Sequence, residues 1–334
     1  MIGSIGVWVS ERWRGLLAAV TIGAASLFVA EHYGGPSVLY ALLLGMAFNF
    51  LSEDPRVVPG MSFASTTLLR IGVGLLGARI AAEQLALLSP GILVLIVGAT
   101  FATVFVSLAL NRLVKWPRAE AALVGGAVAI CGASASIALA TVIPKKDLRE
   151  QSLLAVVVAV TAMSTLAMII YPFIASALDL SKSEAGIFLG GTIHDVAQVV
   201  GAGAMIGGDA TETATMAKML RVAMLVPMLI LFSLMFRDRS ASAGSQVHWI
   251  RNIPLFLIGF IALAAANVAG FIPKSISSVL GETSRLLILI AIAGLGIKTS
   301  LGKLREVGWA PLILMAVDSV FLVLLVLGGL LLLR

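Results

Sequence analysis

The chain has 334 residues, 60% of them hydrophobic and only 12% charged, with a mean hydropathy of +1.07, where soluble domains carry roughly 45–50% apolar and about 25% charged residues. That excludes an ordinary soluble enzyme, and no polar stretch is long enough to hold a separate soluble domain. A net charge of +6 would suit nucleic-acid binding in a soluble protein, but the basic residues fall mostly in loops, where they orient helices, and no nucleic-acid partner is expected. A single cysteine, Cys131, excludes an internal disulfide and a Cys-based metal cluster.

At roughly 20 apolar residues per crossing, the apolar content serves about ten or eleven membrane helices. Glu11, Arg12, Trp13 and Arg14 precede an apolar run without a small-residue cleavage site, so the N-terminus reads as an uncleaved first helix, not a signal peptide. In chain order the expected spans are 14–30, 36–51, 64–85, 91–113, 120–142, 151–178, 185–207, 215–236, 252–271, 284–304 and 309–333. The expected fold is therefore an all-α polytopic membrane protein, a single domain over 1–334. Lys and Arg in alternate loops, with Lys218 taken as a loop residue, number 12 on the N-terminal side and 8 on the other. This favours a cytoplasmic N-terminus, although the basic loop 145–149 opposes it.

Several spans are poor as simple membrane helices. The third holds Arg70 and Arg79, the seventh His194 and Asp195, and the tenth Lys298; charges in mid-membrane cost at least about 2.5–3.5 kcal/mol, so these helices must face protein or water.

An internal repeat is visible when the third and eighth spans are laid together. TLLRIG over AKMLRVA places Arg70 opposite Arg221, LLLGMAFN over IFLGGTIHD places Asn49 opposite Asp195, and CGASAS over LGIKTS pairs the fifth and tenth spans. Spans 2–6 (36–178) and 7–11 (185–334) then form two five-helix units, the second inverted because five is odd, with 1–31 as an extra N-terminal helix. Inverted repeats of this kind place a transport site near the midplane, where discontinuous helices meet.

The fifth span, GGAVAICGASASIALA, carries Gly125, Gly126, Gly132, Ser134 and Ser136. A break near Cys131 and Gly132 would expose a half-helix N-terminus, whose N–H groups and partial positive charge suit an oxyanion; the alternative is a small-residue packing face. In the tenth span GLGIKTS places Gly296, Lys298, Thr299 and Ser300 for a matching break, with Lys298 as counter-charge or as a snorkelling residue. In GGTIHDVAQVVGAG, His194, Asp195 and Gln198 form a candidate proton relay, the plainer reading being Asp195 paired with Arg221 or Arg70. Asn49, Arg70 and Arg221 read as structural or gating residues. Asp318 in the last span pairs with a base or faces a crevice, outside the site. No second ligand accompanies His194 and Asp195 for a metal, no GxSxG elbow or phosphate loop is present, and neither enzyme activity nor a cofactor is expected.

The strings LLRIGVGLLGARI, GGAVAICGASASIALA, GGTIHDVAQVVGAG and KMLRVAMLVP resemble those of a family of bacterial membrane proteins labelled sulfate exporters, over nearly the whole chain. That family is grouped with the bile acid/sodium symporters and cation–proton antiporters. The resemblance implies two crossing discontinuous helices, at 120–142 and 284–304, and a core that moves against a panel in alternating access. It departs from the antiporters in lacking paired aspartates in either segment. The expectation is a secondary-active transporter that exports sulfate or a related sulfur oxyanion or sulfonate. Ser134, Ser136, Thr299, Ser300 and the half-helix ends hold the anion, and a proton or sodium ion is the coupling partner. The alternatives are a cation–proton antiporter using Asp195 and a non-transporting membrane scaffold or sensor. The lipid bilayer is the remaining partner, with a homodimer as a candidate assembly.

Overall fold

The computed structural model describes residues 2–80, 82, 86, 88–114, 116–144, 146–236, 254–299 and 308–333. They are helical with no strand among them, as lipid requires of a chain that must satisfy its backbone polar groups internally. We label the elements α1 (Ile2–Tyr33), α2 (Ser37–Ala47), α3 (Val58–Arg79), α4 (Pro90–Val114), α5a (Arg118–Ala129), α5b (Ala133–Ala140), α6 (Glu150–Ala177), α7a (Lys182–Thr192), α7b (Val196–Ile206), α8 (Ala210–Met235), α9 (Leu255–Val268), α10 (Lys274–Lys298) and α11 (Trp309–Leu332).

Each expected span overlaps one of these elements, and the fifth and seventh overlap two. Among the described residues seven helices are long and apolar enough to cross a membrane: Ser10–Tyr33 of α1, Pro90–Asn111 of α4, Gln151–Ala177 of α6, and α3, α8, α10 and α11. The segments α2, α7b and α9 are apolar but shorter. Within α3 a π-helical turn spans Phe63–Leu68, and α8 is interrupted at Met224, where the ring of Pro227 obstructs the carbonyl of Ala223.

Two packed groups emerge. Helices α1, α2, α3, α9 and α10 pack on one another, and α4 to α8 with α11 form the second group; the two meet mainly where α7b touches α2 and α10. The N-terminal helix is an integral part of the first group. A Cβ built on Gly15 would lie 2.0 Å from the Val57 carbonyl oxygen, and one on Gly60 2.1 Å from that of Arg12. The α1 and α3 backbones therefore approach as closely as small residues permit between membrane helices.

At Gly294 and Gly296 the expected break of the tenth span is corrected by the structure: α10 runs without interruption from Lys274 to Lys298, while 300–304 of that span lie outside the described residues. Its glycines serve packing instead. A Cβ on Gly296 would stand 2.5 Å from the Leu42 carbonyl oxygen and 2.9 Å from Gly45 Cα, so Gly296 seats α10 against α2 and is not a ligand position. The second broken helix is the seventh span, where α7a ends at Thr192 and α7b begins at Val196. The two broken helices are thus α5 and α7, with one intact helix, α6, between them, so the pairing of the fifth with the tenth span does not describe the broken pair.

Candidate anion site at the paired helix breaks

Each break has its own local backbone geometry. At the first, Ile130 leaves the helical region (φ −112°, ψ −89°) and Gly132 takes φ +61°, ψ −123° as the cap of α5b, a conformation an L side chain adopts only under strain. At the second, Ile193 turns extended and Asp195 caps α7b, its Oδ1 accepting from the Val196 N–H at 2.7 Å, as a helix N-terminus favours. The Asp195 N–H donates to Ser164 Oγ on α6 at 3.0 Å. The two breaks lie side by side: a Cβ on Gly132 would sit 3.7 Å from both Asp195 Cβ and the His194 carbonyl oxygen.

Breaking two helices leaves two sets of C-terminal carbonyls without intrahelical partners. Lys218 and Arg221, one turn apart on α8 and fully buried, supply the donors. Lys218 Nζ donates to the carbonyls of Ile130, Ile193 and His194. Arg221 donates from Nε to Ala129 (2.8 Å), from Nη2 to Val128 (2.6 Å), and from Nη1 to Gly190 (3.2 Å) and Ile193 (2.9 Å). Both cations therefore sit at the negative ends of α5a and α7a, the favourable end of each helix dipole. Arg221 has no carboxylate partner within salt-bridge range among the described residues, so the expected Asp195–Arg221 pair is replaced by a carbonyl staple. Lys218, assigned above to a loop, is the residue that sequence reasoning missed. Its signal was present as a cation three residues before Arg221 on one helical face.

With both C-termini stapled from behind, the N-termini of α5b and α7b open on a cavity of about 390 Å³ between the two helix groups. Ser134, Asp195 and Val196 line it from one side, and Arg70, Lys298 and Thr299 from the other, with the hydroxyls of Ser65, Thr66 and Thr161 around them. Arg70 and Lys298 are exposed into this space, and neither has an ion-pair partner within 4.0 Å among the described residues. The site thus holds two uncommitted cations and one carboxylate where two positive helix ends converge.

Several candidate residues lie elsewhere. Ser136 is buried and donates to the Gly132 carbonyl at 3.0 Å, so its hydroxyl supports the break rather than a ligand. His194 is buried and turned toward α11, with Nε2 3.0 Å from Ser319 Oγ. Ser319 gives its own proton to Met315 O at 2.6 Å, so Nε2 of His194 is the donor in that contact. Gln198 is buried against Thr165 at 3.4 Å. The adjacent pair His194–Asp195 is therefore split by the break, and Asp195 alone faces the cavity.

Cys131 borders a second cavity, described below. Asn49 donates to the carbonyls of Ile297 (2.6 Å) and Thr299 (3.3 Å) and closes the C-terminus of α10. Arg70 and Arg221, which the expected repeat would align, have different surroundings: one faces open space, the other is sealed among carbonyls. Asp318 is fully buried on α11 with no ion-pair partner among the described residues. Ser300 falls outside the described residues.

Paired broken helices embedded in an apolar bundle define a multi-pass membrane protein. The chain belongs to the family described as conserved hypothetical protein 698, whose profile matches residues 14–315. It is 47% identical to the UPF0324 membrane protein TauZ of Paracoccus pantotrophus over 99% of this chain and 98% of that protein. Identity is 45% to a UPF0324 membrane protein of Chlorobaculum tepidum, over 94% and 88% of the two chains. A relative in Bacillus cereus strain ATCC 14579 is 32% identical over 92% and 91%.

Proposed function

We propose that the protein is a secondary-active transporter of a small oxyanion, in the class of sulfate and sulfonates, working by alternating access. The observation that carries this reading is the pair Arg70 and Lys298, two cations without carboxylate partners, facing the N-termini of α5b and α7b across one cavity. Preorganised donors and positive helix ends bind an oxyanion without needing a compensating cation. The anion bridges the two helix groups, so that its release on either side follows from the second group sliding against the first, with the half-helix ends carried along. Such broken helices at a repeat interface are the usual setting of substrate sites in secondary transporters.

Asp195 is the coupling residue in this reading, because it is the one carboxylate in the cavity lining described. Ionised, it repels an incoming anion; protonated, it admits one. His194 and Gln198 take no part, being turned away from the cavity. The test is labelled sulfate flux into proteoliposomes under an imposed pH gradient, with Asp195→Asn and Lys298→Ala beside the wild type. Flux that needs the gradient, becomes independent of it in Asp195→Asn and falls at least tenfold in Lys298→Ala supports the reading. Proton movement that appears only with sodium or potassium and no anion would replace it with cation–proton exchange at Asp195.

A further inference from the structure

The anion cavity opens beside a second and larger one. This chamber, of about 700 Å³, shares Arg70, Ser134, Val196 and Phe256 with the first. Beyond those shared residues Thr67 and Cys131 add a hydroxyl and a thiol, and the large side chains of the wall are apolar: Ile71 and Leu75 of α3, Leu225 of α8, and Leu255 and Leu263 of α9. Arg70 is the one charged side chain among the described lining residues. It stands at the junction and reaches both spaces.

A bare tetrahedral oxyanion has no use for such a wall. It needs donors close about it, and the end of the first cavity formed by Arg70, Ser134, Lys298 and the two helix N-termini supplies them. The second chamber, at about 700 Å³ and with its charge confined to the Arg70 end, matches pockets for organic ligands, which run to about 300–1,000 Å³ with a few polar groups fixing orientation. Water held against so much apolar surface is poorly bonded, and its displacement by an apolar ligand group is favourable.

We propose that the physiological anion is an organic sulfonate with an apolar body. Its sulfonate head lies between Arg70, Lys298 and the ends of α5b and α7b, and its body extends past Ser134 into the second chamber. This rests on the anion reading above and narrows its substrate class. Each methylene of the body then replaces water against Leu75, Leu225 or Phe256.

Gly259 on α9 gives a means of filling the chamber without touching the head site. It lines the second cavity and not the first, and a Cβ built on it meets nothing within 4 Å, so Gly259→Leu is accommodated by the empty space. The experiment is binding to the purified full chain, by calorimetry or thermal stabilisation, of sulfate, methanesulfonate, butanesulfonate and hexanesulfonate, in wild type, Gly259→Leu and Arg70→Ala. Burial of a methylene at the usual value corresponds to about fourfold in affinity, so the wild type is expected to bind butanesulfonate some tens of times more tightly than methanesulfonate. Gly259→Leu should erase that gain while leaving sulfate and methanesulfonate unchanged, and Arg70→Ala should weaken all four.

Sulfate and methanesulfonate binding with no gain along the series would overturn the inference and leave the anion reading intact. A gain that survives in Gly259→Leu would place the body outside the chamber, also overturning it. Failure of all four anions to bind would sink the anion reading itself. A lipid that copurifies with wild type, is lost in Gly259→Leu and accompanies a flat series would assign the chamber to an acyl chain and overturn the inference.

Discussion

Lys218 Nζ and Arg221 Nη1 donate to one and the same acceptor, the carbonyl oxygen of Ile193, each at 2.9 Å. From that shared atom Lys218 reaches on to Ile130 and Arg221 to Val128 and Ala129, so one turn of α8 ties together two helix breaks distant in sequence. A charge-assisted hydrogen bond contributes about 1.5–3 kcal/mol, and here seven are concentrated on two side chains.

Lys218→Met keeps the bulk and removes the donors, leaving the carbonyls of Ile130 and His194 without the bonds Lys218 supplies. At about 1–3 kcal/mol for each orphaned buried acceptor, the loss is about 2–6 kcal/mol. It is expected as a marked fall in Tm in detergent, larger than for any single cavity substitution. A Tm equal to wild type would show that the staple carries no stability.

Gly132→Ala isolates backbone strain. The added methyl has room, its nearest neighbours lying 3.7 Å away, but φ +61° with ψ −123° is a conformation that costs a non-glycine residue about 1–3 kcal/mol. Thermal unfolding should register that loss, and anion affinity should fall with it because α5b is re-aimed. Unchanged affinity would separate the break from the site.

Glu120 and Arg149 form a bidentate pair at 2.8 Å between α5a and the start of α6, with Glu120 1% and Arg149 63% exposed. The two halves should respond unequally. Arg149→Ala strands a buried carboxylate, whereas Glu120→Gln leaves the guanidinium in water, so the first is expected to destabilise more, by about 1–3 kcal/mol after discounting for the exposed partner. Equal Tm shifts in the two variants would contradict the burial asymmetry.

His194→Asn discriminates the buried histidine from the cavity carboxylate next to it. Because His194 bonds Ser319 and does not line the cavity, this variant should lose stability by about 1–2 kcal/mol through its altered hydrogen bond and keep the pH dependence of anion flux. Loss of that dependence with unchanged Tm would return His194 to the coupling path.

Much of the architecture was legible from composition and periodicity alone, since bilayer thickness sets helix length and the cost of buried charge singles out the exceptional spans. All-helical membrane character and the rough places of the apolar helices follow from local sequence. So does the chemistry of Asp195 and Lys298 as charges that a bilayer would not tolerate unaided. What only the tertiary structure decided is which glycines break a helix and which let two helices touch. Gly296 and Gly132 look alike in sequence, but Gly296 faces the backbone of Leu42 and Gly45 and stays helical, while Gly132 caps a half-helix whose neighbour's lost carbonyls are met by Arg221 and Lys218. A broken helix is stable only where donors arrive from elsewhere in the chain. That supply is a property of packing and not of the segment that breaks.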